Sequence, residues 1–380
     1  MHAGLSPAAL ALTGLSLRAE GDRHVIVVLS ELNPDAIFAG VHTALDAAHR
    51  LADALRLPLR VVVLAESSTW RADSRRSEST LASRFGRPVR VVSRHELGDT
   101  SFHRDDIWVV THWTTAHAAQ VGTIDGSITS TNVVYLIQDF EPGFNALSTE
   151  FTTASGTFDA GFLPVVNSLP LAGYLKQHTR LPLDDDLVFA PAFDPARLEQ
   201  IAAARRTGPV TVLFYGRPSK PRNLYGLGLA ALREATLLLG DGARSVRFVS
   251  AGESHGDVEL GPGVQLTSLG TLGWDAYFSL LAEANVVLSL QASPHPSHPP
   301  LEAAVSGAHS VTNEIDDARA HLHERLRAAP ATPTELGAAL ADAITRAATQ
   351  GPGPFRPIDP ALLGAPLETV IALVAERLGA

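Results

Sequence analysis

Residues 284–314 of this 380-residue chain, ANVVLSLQASPHPSHPPLEAAVSGAHSVTNE, carry the pattern that decides the fold. The apolar run 286–290 predicts a buried strand of a parallel sheet. Prolines keep the next stretch, 293–300, out of regular structure. A helix that carries Glu302 is expected over 301–307, and a second short strand follows it. Strand, stiff loop, helix and strand form the unit with which α/β proteins hold anionic ligands at the carboxyl edge of a sheet.

The same alternation of strands and helices extends outward from this stretch in both directions. It predicts doubly wound parallel sheets, because strands that are joined through helices lie parallel. An acidic, proline-containing stretch at 178–196 predicts a linker between two domains. Further strands are predicted at 24–30, 59–64, 89–92, 108–111, 132–137, 210–215, 246–250, 264–266 and 310–312, and further helices at 41–56, 224–239, 274–283 and 316–327.

Composition narrows the class of protein. The chain has 30 Lys and Arg against 40 Asp and Glu, a net charge of −10, and no cysteine. No basic excess is available to neutralise phosphates, which argues against a general nucleic-acid binder. The lack of cysteine excludes disulfides, thiolate nucleophiles and cysteine-ligated metal sites. The length, with 45% apolar and 18% charged residues, predicts two globular domains.

Neither a leader nor a membrane span is evident in the sequence. The first 24 residues contain an apolar stretch without a basic residue before it, which makes a poor signal peptide. No run reaches the roughly 18 uncharged apolar residues that a membrane helix needs. We therefore expect a cytoplasmic protein, and peripheral contact with the inner membrane face stays open.

A basic loop follows the predicted strand 210–215. Arg217, Lys220 and Arg222 lie between that strand and a predicted helix, where backbone N–H groups and the helix dipole also favour an anion. The chain has no Walker A sequence and no G-x-G-x-x-G after a strand. The pyrophosphate of a nucleotide is the ligand that we expect, and the alternative is a solvated basic loop.

Glu302 and the nearby histidines add polar groups to the same edge. Glu302 can accept two hydrogen bonds from a ribose diol, or it can simply complement the helix dipole. His295 is expected to make a polar contact with a sugar or phosphate. A zinc site is disfavoured, because the spacing of the histidines matches no standard pattern. His321 and His323 are expected on the surface of the helix 316–327.

Two loops in the first half also follow strands directly. One contains His112 and Trp113, and the other contains Asp139 and Glu141. At the carboxyl ends of strands these side chains would point toward a ligand. The alternatives are local packing and helix capping, or a divalent-ion site built on the Asp-x-Glu pattern.

Two sets of motifs stand out in the sequence. The first is Gly216-Arg217 with Arg222, LGTL at 269–272, PPLEAA at 299–304 and Gly307; the second is YLIQDFEP at 135–142, FYGRP at 214–218 and SPHPSHPPLE at 293–302. The first set resembles the retaining, family 4 type of the GT-B glycosyltransferases. The second is similar to the WsaF-type rhamnosyltransferases, which build bacterial surface glycans from dTDP-L-rhamnose. The resemblance covers roughly residues 24–315.

The resemblance implies an α/β GT-B fold, in which two Rossmann-like, doubly wound parallel-sheet domains face a central cleft. It implies an acceptor-side domain at 1–188, a donor domain at 189–355 and a C-terminal helix within 356–380 that packs back on the first domain. The donor nucleotide sugar would contact Arg217, Lys220 and Arg222 at the diphosphate, Leu272 at the base, Glu302 at the ribose, and His295 and Ser297 at the diphosphate or sugar. The acceptor side would be lined by residues 38–43, which include Phe38, Gly40 and His42, and by the catalytic candidates His112, Asp139 and Glu141 together with Trp113.

Three positions depart from the family pattern. Pro294 stands where the broader family has a second glutamate, which affects contacts with the donor sugar. Lys220-Pro221-Arg222 replaces a Lys-Gly pair, and Ala39-Gly40 replaces the Gly-Gly of the first loop.

The function implied by the resemblance is transfer of a sugar, L-rhamnose from dTDP-L-rhamnose, to a glycan or lipid-linked glycan acceptor. The reaction would retain the anomeric configuration and need neither a metal ion nor a cofactor, because cations and a helix N-terminus stabilise the departing diphosphate. The alternatives are a non-catalytic protein that binds nucleotide sugars and a nucleotide-sugar epimerase of the same fold.

Overall fold

The computed structural model describes residues 8–33, 39–206 and 208–379. The chain forms two compact units, Met1–Ala190 with Gly364–Ala380, and Pro191–Leu363. Each unit contains a parallel sheet with Rossmann-like connections, which confirms the predicted α/β class. The chain re-enters the first unit at Gly364, later than the expected position 356.

The described part of the first unit contains a seven-stranded parallel sheet with the order β4-β3-β2-β6-β7-β8-β9, and β1 pairs with β5 beside it. Because the chain winds outward from β2 in one direction and from β6 in the other, the switch point of the sheet lies between these two strands. The strands are β1 (Ser16–Arg18), β2 (Val25–Leu29), β3 (Leu59–Val63), β4 (Arg90–Ser93), β5 (Ser101–His103), β6 (Ile107–Val110), β7 (Val133–Ile137), β8 (Leu163–Asn167) and β9 (Val188–Phe189). The helices are α1 (Ala39–Ala54), α2 (Trp70–Phe85), α3 (Trp113–Ile124), α4 (Thr149–Gly156) and α5 (Leu169–His178).

The second unit repeats this architecture. Its seven strands, counted over the residues that the structure describes, have the order β12-β13-β11-β10-β14-β15-β16, and only β12 runs antiparallel to its neighbour. The strands are β10 (Thr211–Gly216), β11 (Arg247–Gly252), β12 (Val258–Gly261), β13 (Val264–Ser268), β14 (Val286–Leu288), β15 (His309–Asn313) and β16 (Leu326–Ala329). The helices are α6 (Pro195–Ala204), α7 (Tyr225–Leu239), α8 (Trp274–Glu283), α9 (His298–Val305) and α10 (Pro333–Gln350).

The final helix, α11 (Leu367–Gly379), belongs to the first unit. Its buried residues Val370, Ile371 and Val374 join the core that α1 forms through Ala44 and Leu45. The apolar spacing of this helix therefore serves to cover one face of the first sheet.

Two predicted helices differ from the structure. The helix expected over 301–307 already begins at His298, because proline is accommodated in the first turn, where its missing N–H breaks no helical hydrogen bond. The prediction of a helix at 316–327 is wrong. Asp316 and Asp317 adopt left-handed φ angles of 50° and 55°, which a continuous α-helix of L-residues does not tolerate. His323 is consequently buried rather than on a helix surface.

Helix α7 packs closely on β10, and this contact places the basic loop between them. A Cβ atom on Gly228 would lie 2.3 Å from Cζ of Phe214, a side chain that is itself fully buried. Gly228 therefore sets the distance between helix and sheet.

Gly228→Ala is expected to lower the free energy of unfolding by about 1–3 kcal/mol, because the added methyl group overpacks the contact with Phe214. Chemical denaturation measures this change. Gly226→Ala is the matched control, since Gly226 lies on the same helix and a Cβ there meets nothing within 4 Å. Equal stabilities for the two variants would contradict this account of the packing.

Candidate functional site

Three loops are tied together at the carboxyl edge of the second sheet. The N–H of Glu253, after β11, donates to the carbonyl of Gly216 at the end of β10 (3.1 Å). The N–H of Ala292, after β14, donates to the carbonyl of Arg222 (2.7 Å). The basic loop is thus joined on one side to the β11 loop and on the other to the histidine loop, which we define as residues 291–297.

A carboxylate that the sequence analysis did not identify fixes the basic loop. Glu253 accepts hydrogen bonds from the backbone N–H and the hydroxyl of Ser219, at 2.9 and 2.6 Å. These bonds, followed by Arg217 and Lys220, hold the pKa of Glu253 below its usual range. The Nε atom of Arg217 lies 3.8 Å from this carboxylate. With Arg222, the loop has three cations against one carboxylate and stays net positive.

The end of the basic loop is strained. Leu224, which precedes α7, has a left-handed φ of 50°, an uncommon conformation for a bulky residue. The adjacent Asn223 is 3% exposed, and its Oδ1 atom has no hydrogen-bond partner among the described residues. Strain and unpaired buried polar atoms concentrate at functional sites, which supports a ligand-binding role for this loop.

A buried arginine shapes the histidine loop. The guanidinium of Arg319 is fully buried and donates to the carbonyl oxygens of Ser293, His295 (3.0 Å) and Asn313 (2.5 Å). The loop contains prolines, which cannot donate backbone hydrogen bonds. Arg319 therefore supplies donors that this part of the backbone lacks.

His295 offers an unpaired donor at this edge. Its Nδ1 atom accepts a hydrogen bond from the N–H of Ser297 (3.1 Å), which assigns the ring proton to Nε2. Nε2 is buried and has no hydrogen-bond partner in the described part of the chain. Burial, followed by the charges of Arg319 and Arg222, lowers the pKa of His295 to about 3. The ring is therefore neutral at pH 7, with one N–H available to an oxygen of a ligand.

Glu302 is a buried carboxylate held by a tyrosine. It is 6% exposed, and its Oε2 atom accepts a hydrogen bond from the hydroxyl of Tyr277 on α8 (2.6 Å). Burial raises the pKa of Glu302, and the bond from Tyr277 opposes that rise. Because Glu302 lies beyond the first turn of α9, its role is not to complement the helix dipole.

The N-terminus of α9 is a weaker anion site than the sequence analysis expected. Pro299 and Pro300 remove two of the first three backbone N–H groups of this helix. His298, which begins it, has a pKa lowered to about 4 by burial and then by His295. Its contact with Glu302, 3.9 Å, therefore joins a neutral imidazole to the carboxyl group. Ser297, just before the helix, has a φ of 63°.

Leu272 lies in the loop between β13 and α8 and is half-buried. The same loop is anchored by the hydroxyl of Thr271, which donates to the carbonyl of Gly252 (3.2 Å). Two residues later, Trp274 is 61% exposed and its indole stacks on Phe278, with 5.8 Å between ring centroids. An apolar surface therefore stands beside the polar groups of this edge.

In the first unit, the structure brings three of the predicted acceptor-side residues together. Glu141 accepts a hydrogen bond from the N–H of Trp113 (2.5 Å), and its other oxygen lies 3.5 Å from Nε2 of His112. His112 also caps α3, since its Nδ1 atom accepts a hydrogen bond from the N–H of Thr114. The bond from Trp113 makes Glu141 a second cap of this helix, which is the alternative predicted for that carboxylate. Asp139 is half-buried on the same loop as Glu141. Within 8–33, 39–206 and 208–379, no three His, Asp or Glu side chains are grouped to hold a metal ion.

The other acceptor-side positions are only partly described. The carbonyl of Gly40 accepts a hydrogen bond from Nε2 of Gln138 (2.9 Å), which joins the start of α1 to the loop after β7. His42 is exposed and contacts Arg84, with 2.6 Å between its Nε2 and an Arg84 nitrogen. Phe38 lies outside the described residues. Among the helices that are described, none is long and apolar enough to cross a membrane.

Sequence reasoning missed Glu253, Tyr277 and Arg319. Glu253 directly follows a strand, a signal that could have identified it. Tyr277 and Arg319 gave no such signal, because their partners Glu302 and His295 are 25 and 24 residues away along the chain.

Two models of one protein family match the chain. Residues 24–168 match the family model for the N-terminal domain of WsaF, and residues 210–341 match the model for its C-terminal domain. The O-antigen biosynthesis protein RfbC of Myxococcus xanthus is 34% identical over 217 residues. That match covers 56% of this chain and 16% of the Myxococcus protein, so the chain spans only a small part of its relative.

Solved structures with the same fold include HepE and a sucrose-phosphate synthase. HepE from Anabaena in complex with UDP has a TM-score of 0.54 and 15% identity, over 94% of this chain and 99% of that one. The sucrose-phosphate synthase of Thermosynechococcus elongatus has a TM-score of 0.56 and 13% identity, over 94% of each chain. These likenesses identify the fold as GT-B.

Lowering the pH from 7 to 5 is expected to destabilise the protein through the buried His295. Its pKa is about 3, against an ordinary value of 6.5 in the unfolded chain. The unfolded chain binds more protons below pH 6.5, so this stability is present above pH 6.5 and is lost progressively down to about pH 3. This histidine accounts for roughly 2 kcal/mol at pH 5.

Urea denaturation of the wild type and of His295→Gln at the two pH values measures this effect. The loss between pH 7 and pH 5 should be smaller in the variant by about 2 kcal/mol. Glu302, whose pKa is raised, acts in the opposite direction in both proteins and therefore cancels from the comparison. An identical loss in both proteins would contradict the neutral, buried state of His295.

Proposed function

The chain belongs to the WsaF family of GT-B glycosyltransferases, and we propose that it transfers L-rhamnose from dTDP-L-rhamnose to a bacterial surface glycan or glycolipid. The observation that carries this proposal is the carboxyl edge of the second sheet. There, a direct hydrogen bond joins the basic loop to the histidine loop, which carries the unpaired Nε2–H of His295. The buried carboxylate of Glu302 follows on the next helix and is held by Tyr277.

The basic loop is suited to a diphosphate leaving group. Arg217 and Arg222 can each donate two hydrogen bonds to phosphate oxygens, and Lys220 adds a point charge at the exposed end. The Nε2–H of His295 can donate to a further oxygen of the diphosphate or the sugar. Because the imidazole is neutral, it binds as a fixed dipole whose strength does not change with pH near 7.

In the proposed reaction, an acceptor hydroxyl attacks the anomeric carbon on the face that the diphosphate leaves. The new bond joins the acceptor oxygen to that carbon, the bond to the phosphate oxygen breaks, and the phosphate takes the hydroxyl proton. The configuration is thereby retained without a protein nucleophile, and Asp139, Glu141 and His112 position the acceptor. We propose that no cofactor or divalent ion is needed, since three side-chain cations supply the charge. Full activity in excess EDTA would support this.

Glu302 favours a second candidate donor. A carboxylate can accept hydrogen bonds from both hydroxyls of a ribose, but the deoxyribose of dTDP offers one fewer. HepE, which shares the fold, was solved with UDP. A UDP-sugar donor is therefore the specific alternative to dTDP-rhamnose, and comparing UDP with dUDP isolates the contribution of the 2′-hydroxyl.

The acceptor is proposed to be a growing surface polysaccharide or its lipid-linked precursor. The similarity to the O-antigen biosynthesis protein RfbC supports this class of acceptor. Nucleotide sugars and lipid-linked precursors would meet at the cytoplasmic face of the inner membrane, and we propose a peripheral location there.

Turnover separates transfer from the other activities considered for this fold. Incubation with labelled dTDP-rhamnose and lipid-linked glycan should produce free dTDP and a labelled glycan. An epimerase would convert the donor into a stereoisomer with no acceptor, and a non-catalytic binding protein would leave it unchanged.

Saturating dTDP or dTDP-rhamnose is expected to raise the thermal stability of the protein, and Arg217→Ala should remove the effect. A ligand at 100 times its Kd adds about 2.7 kcal/mol, which differential scanning fluorimetry detects as a shift in Tm. The loss in the variant follows from removing the cation closest to the end of β10.

Arg247→Ala provides the control for this experiment. Arg247 is an exposed cation at the start of β11, at the opposite edge of the sheet from the basic loop. Its replacement should leave the ligand-induced shift unchanged. Stabilisation by UDP or GDP compounds alone would overturn the rhamnose donor and keep the transferase, whereas no shift with any nucleotide would overturn the donor site.

A further inference from the structure

A cavity of about 230 Å³ in the first unit has no role in the function proposed above. It lies at the carboxyl edge of β2, β3 and β4, since its lining includes Glu31 after β2, Ser67 after β3 and Ser93 at the end of β4. Trp70 and Asp73, from the first turn of α2, also line the cavity.

Trp70 presents a fixed aromatic surface. Its indole stacks on the imidazole of His95, with 5.9 Å between centroids, and the guanidinium of Arg71 lies 5.0 Å from the ring centre. These neighbours restrict the ring, so a ligand that packs against it need not order it first. The apolar C–H face of a sugar ring is a natural partner for such a surface.

Asp73 provides an ionised acceptor beside that ring. Its Oδ2 atom accepts hydrogen bonds from the hydroxyls of Ser67 and Thr69, both at 2.8 Å. These two bonds lower the pKa of Asp73, so the carboxylate stays charged at neutral pH. Oδ1 has no hydrogen-bond partner from the described residues, which leaves it available to a hydroxyl group in the cavity.

The charge of the lining selects the class of ligand. The described lining contains two carboxylates, Glu31 and Asp73, together with serine hydroxyls and the indole, and it contains no Arg, Lys or His side chain. The described lining thus offers no cation of its own to a phosphate or a carboxylate ligand. A neutral polyhydroxyl ligand matches both the acceptors and the aromatic surface.

Distance along the sheet indicates which part of the acceptor reaches the cavity. The strand order β3-β2-β6-β7 separates β3, beneath the cavity, from β7, whose loop carries Asp139 and Glu141, by three strand spacings. At roughly 4.8 Å each, this is about 14 Å. A ligand in the cavity would therefore lie away from the hydroxyl that reacts.

We propose that the cavity containing Trp70 and Asp73 binds a neutral sugar unit of the acceptor glycan, at a distance from the reacting end. This inference rests on the proposed transferase function and adds a second point of acceptor recognition. Binding of a second sugar unit in the cavity should make glycans of more than one unit better acceptors than single sugars. The difference should appear in KM rather than in kcat, because the cavity does not touch the reacting atoms.

An array of neutral and anionic glycans, probed with the labelled full-length protein in the presence of dTDP, tests the proposal. The wild type should bind neutral oligosaccharides. Trp70→Ala and Asp73→Asn should each weaken that binding by about tenfold, whereas Trp70→Phe, which keeps an aromatic ring, should retain most of it. Asp99→Asn is the matched control, because Asp99 is an exposed carboxylate outside the cavity lining.

Affinity for dTDP, measured in parallel by calorimetry, reports the proposed donor site, and thermal denaturation of each variant reports the folding of the first unit. The result that supports the proposal is unchanged dTDP affinity with weakened glycan binding in the Trp70→Ala and Asp73→Asn variants. Wild-type protein that binds dTDP but no neutral glycan, or variants that bind glycans normally, would overturn the acceptor cavity alone. A preference for anionic glycans, or for vesicles of anionic lipid, that depends on Trp70 would also overturn the acceptor cavity. Wild-type protein that binds no nucleotide would instead overturn the proposed function.

Discussion

The candidate donor site depends most on the hydrogen bonds that the guanidinium of Arg319 donates. A loop rich in proline has few N–H groups and cannot organise itself through backbone hydrogen bonds. Arg319 compensates by donating to carbonyl oxygens on the histidine loop and at the end of β15. Through this one buried cation, the orientation of His295 is tied to the end of β15.

Charge is distributed over the site in a pattern that favours binding of an anion. His295 is neutral at pH 7, and burial raises the pKa of Glu302. The buried cation Arg319 is directed at carbonyl oxygens of the protein. Three further cations lie on the basic loop, where Glu253 restricts their movement without cancelling them. A diphosphate at this edge would therefore meet preorganised donors and pay little for reorganisation of the protein.

The alternation of strands and helices, and hence both parallel sheets, could be predicted from the sequence, because apolar strands such as Val25–Leu29 are buried on both faces and are recognisable locally. The basic loop could be found for the same reason, since it follows such a strand. Contacts between segments that are distant along the chain could not be predicted in this way. One example is the hydrogen bond that Tyr277 on α8 donates to Glu302 on α9. The error at 316–327 has a local cause, two aspartates in left-handed conformations that composition alone does not reveal.

We propose that the carboxyl edge of the second sheet binds a nucleotide sugar. A crystal structure of the protein grown with dTDP-rhamnose, and in parallel with UDP-glucose, would locate the bound donor. We expect diphosphate oxygens within hydrogen-bond distance of Arg217 and Arg222, an oxygen of the ligand on Nε2 of His295, and the nucleoside sugar at Glu302. A nucleotide bound elsewhere, with the basic loop and His295 unoccupied, would contradict it.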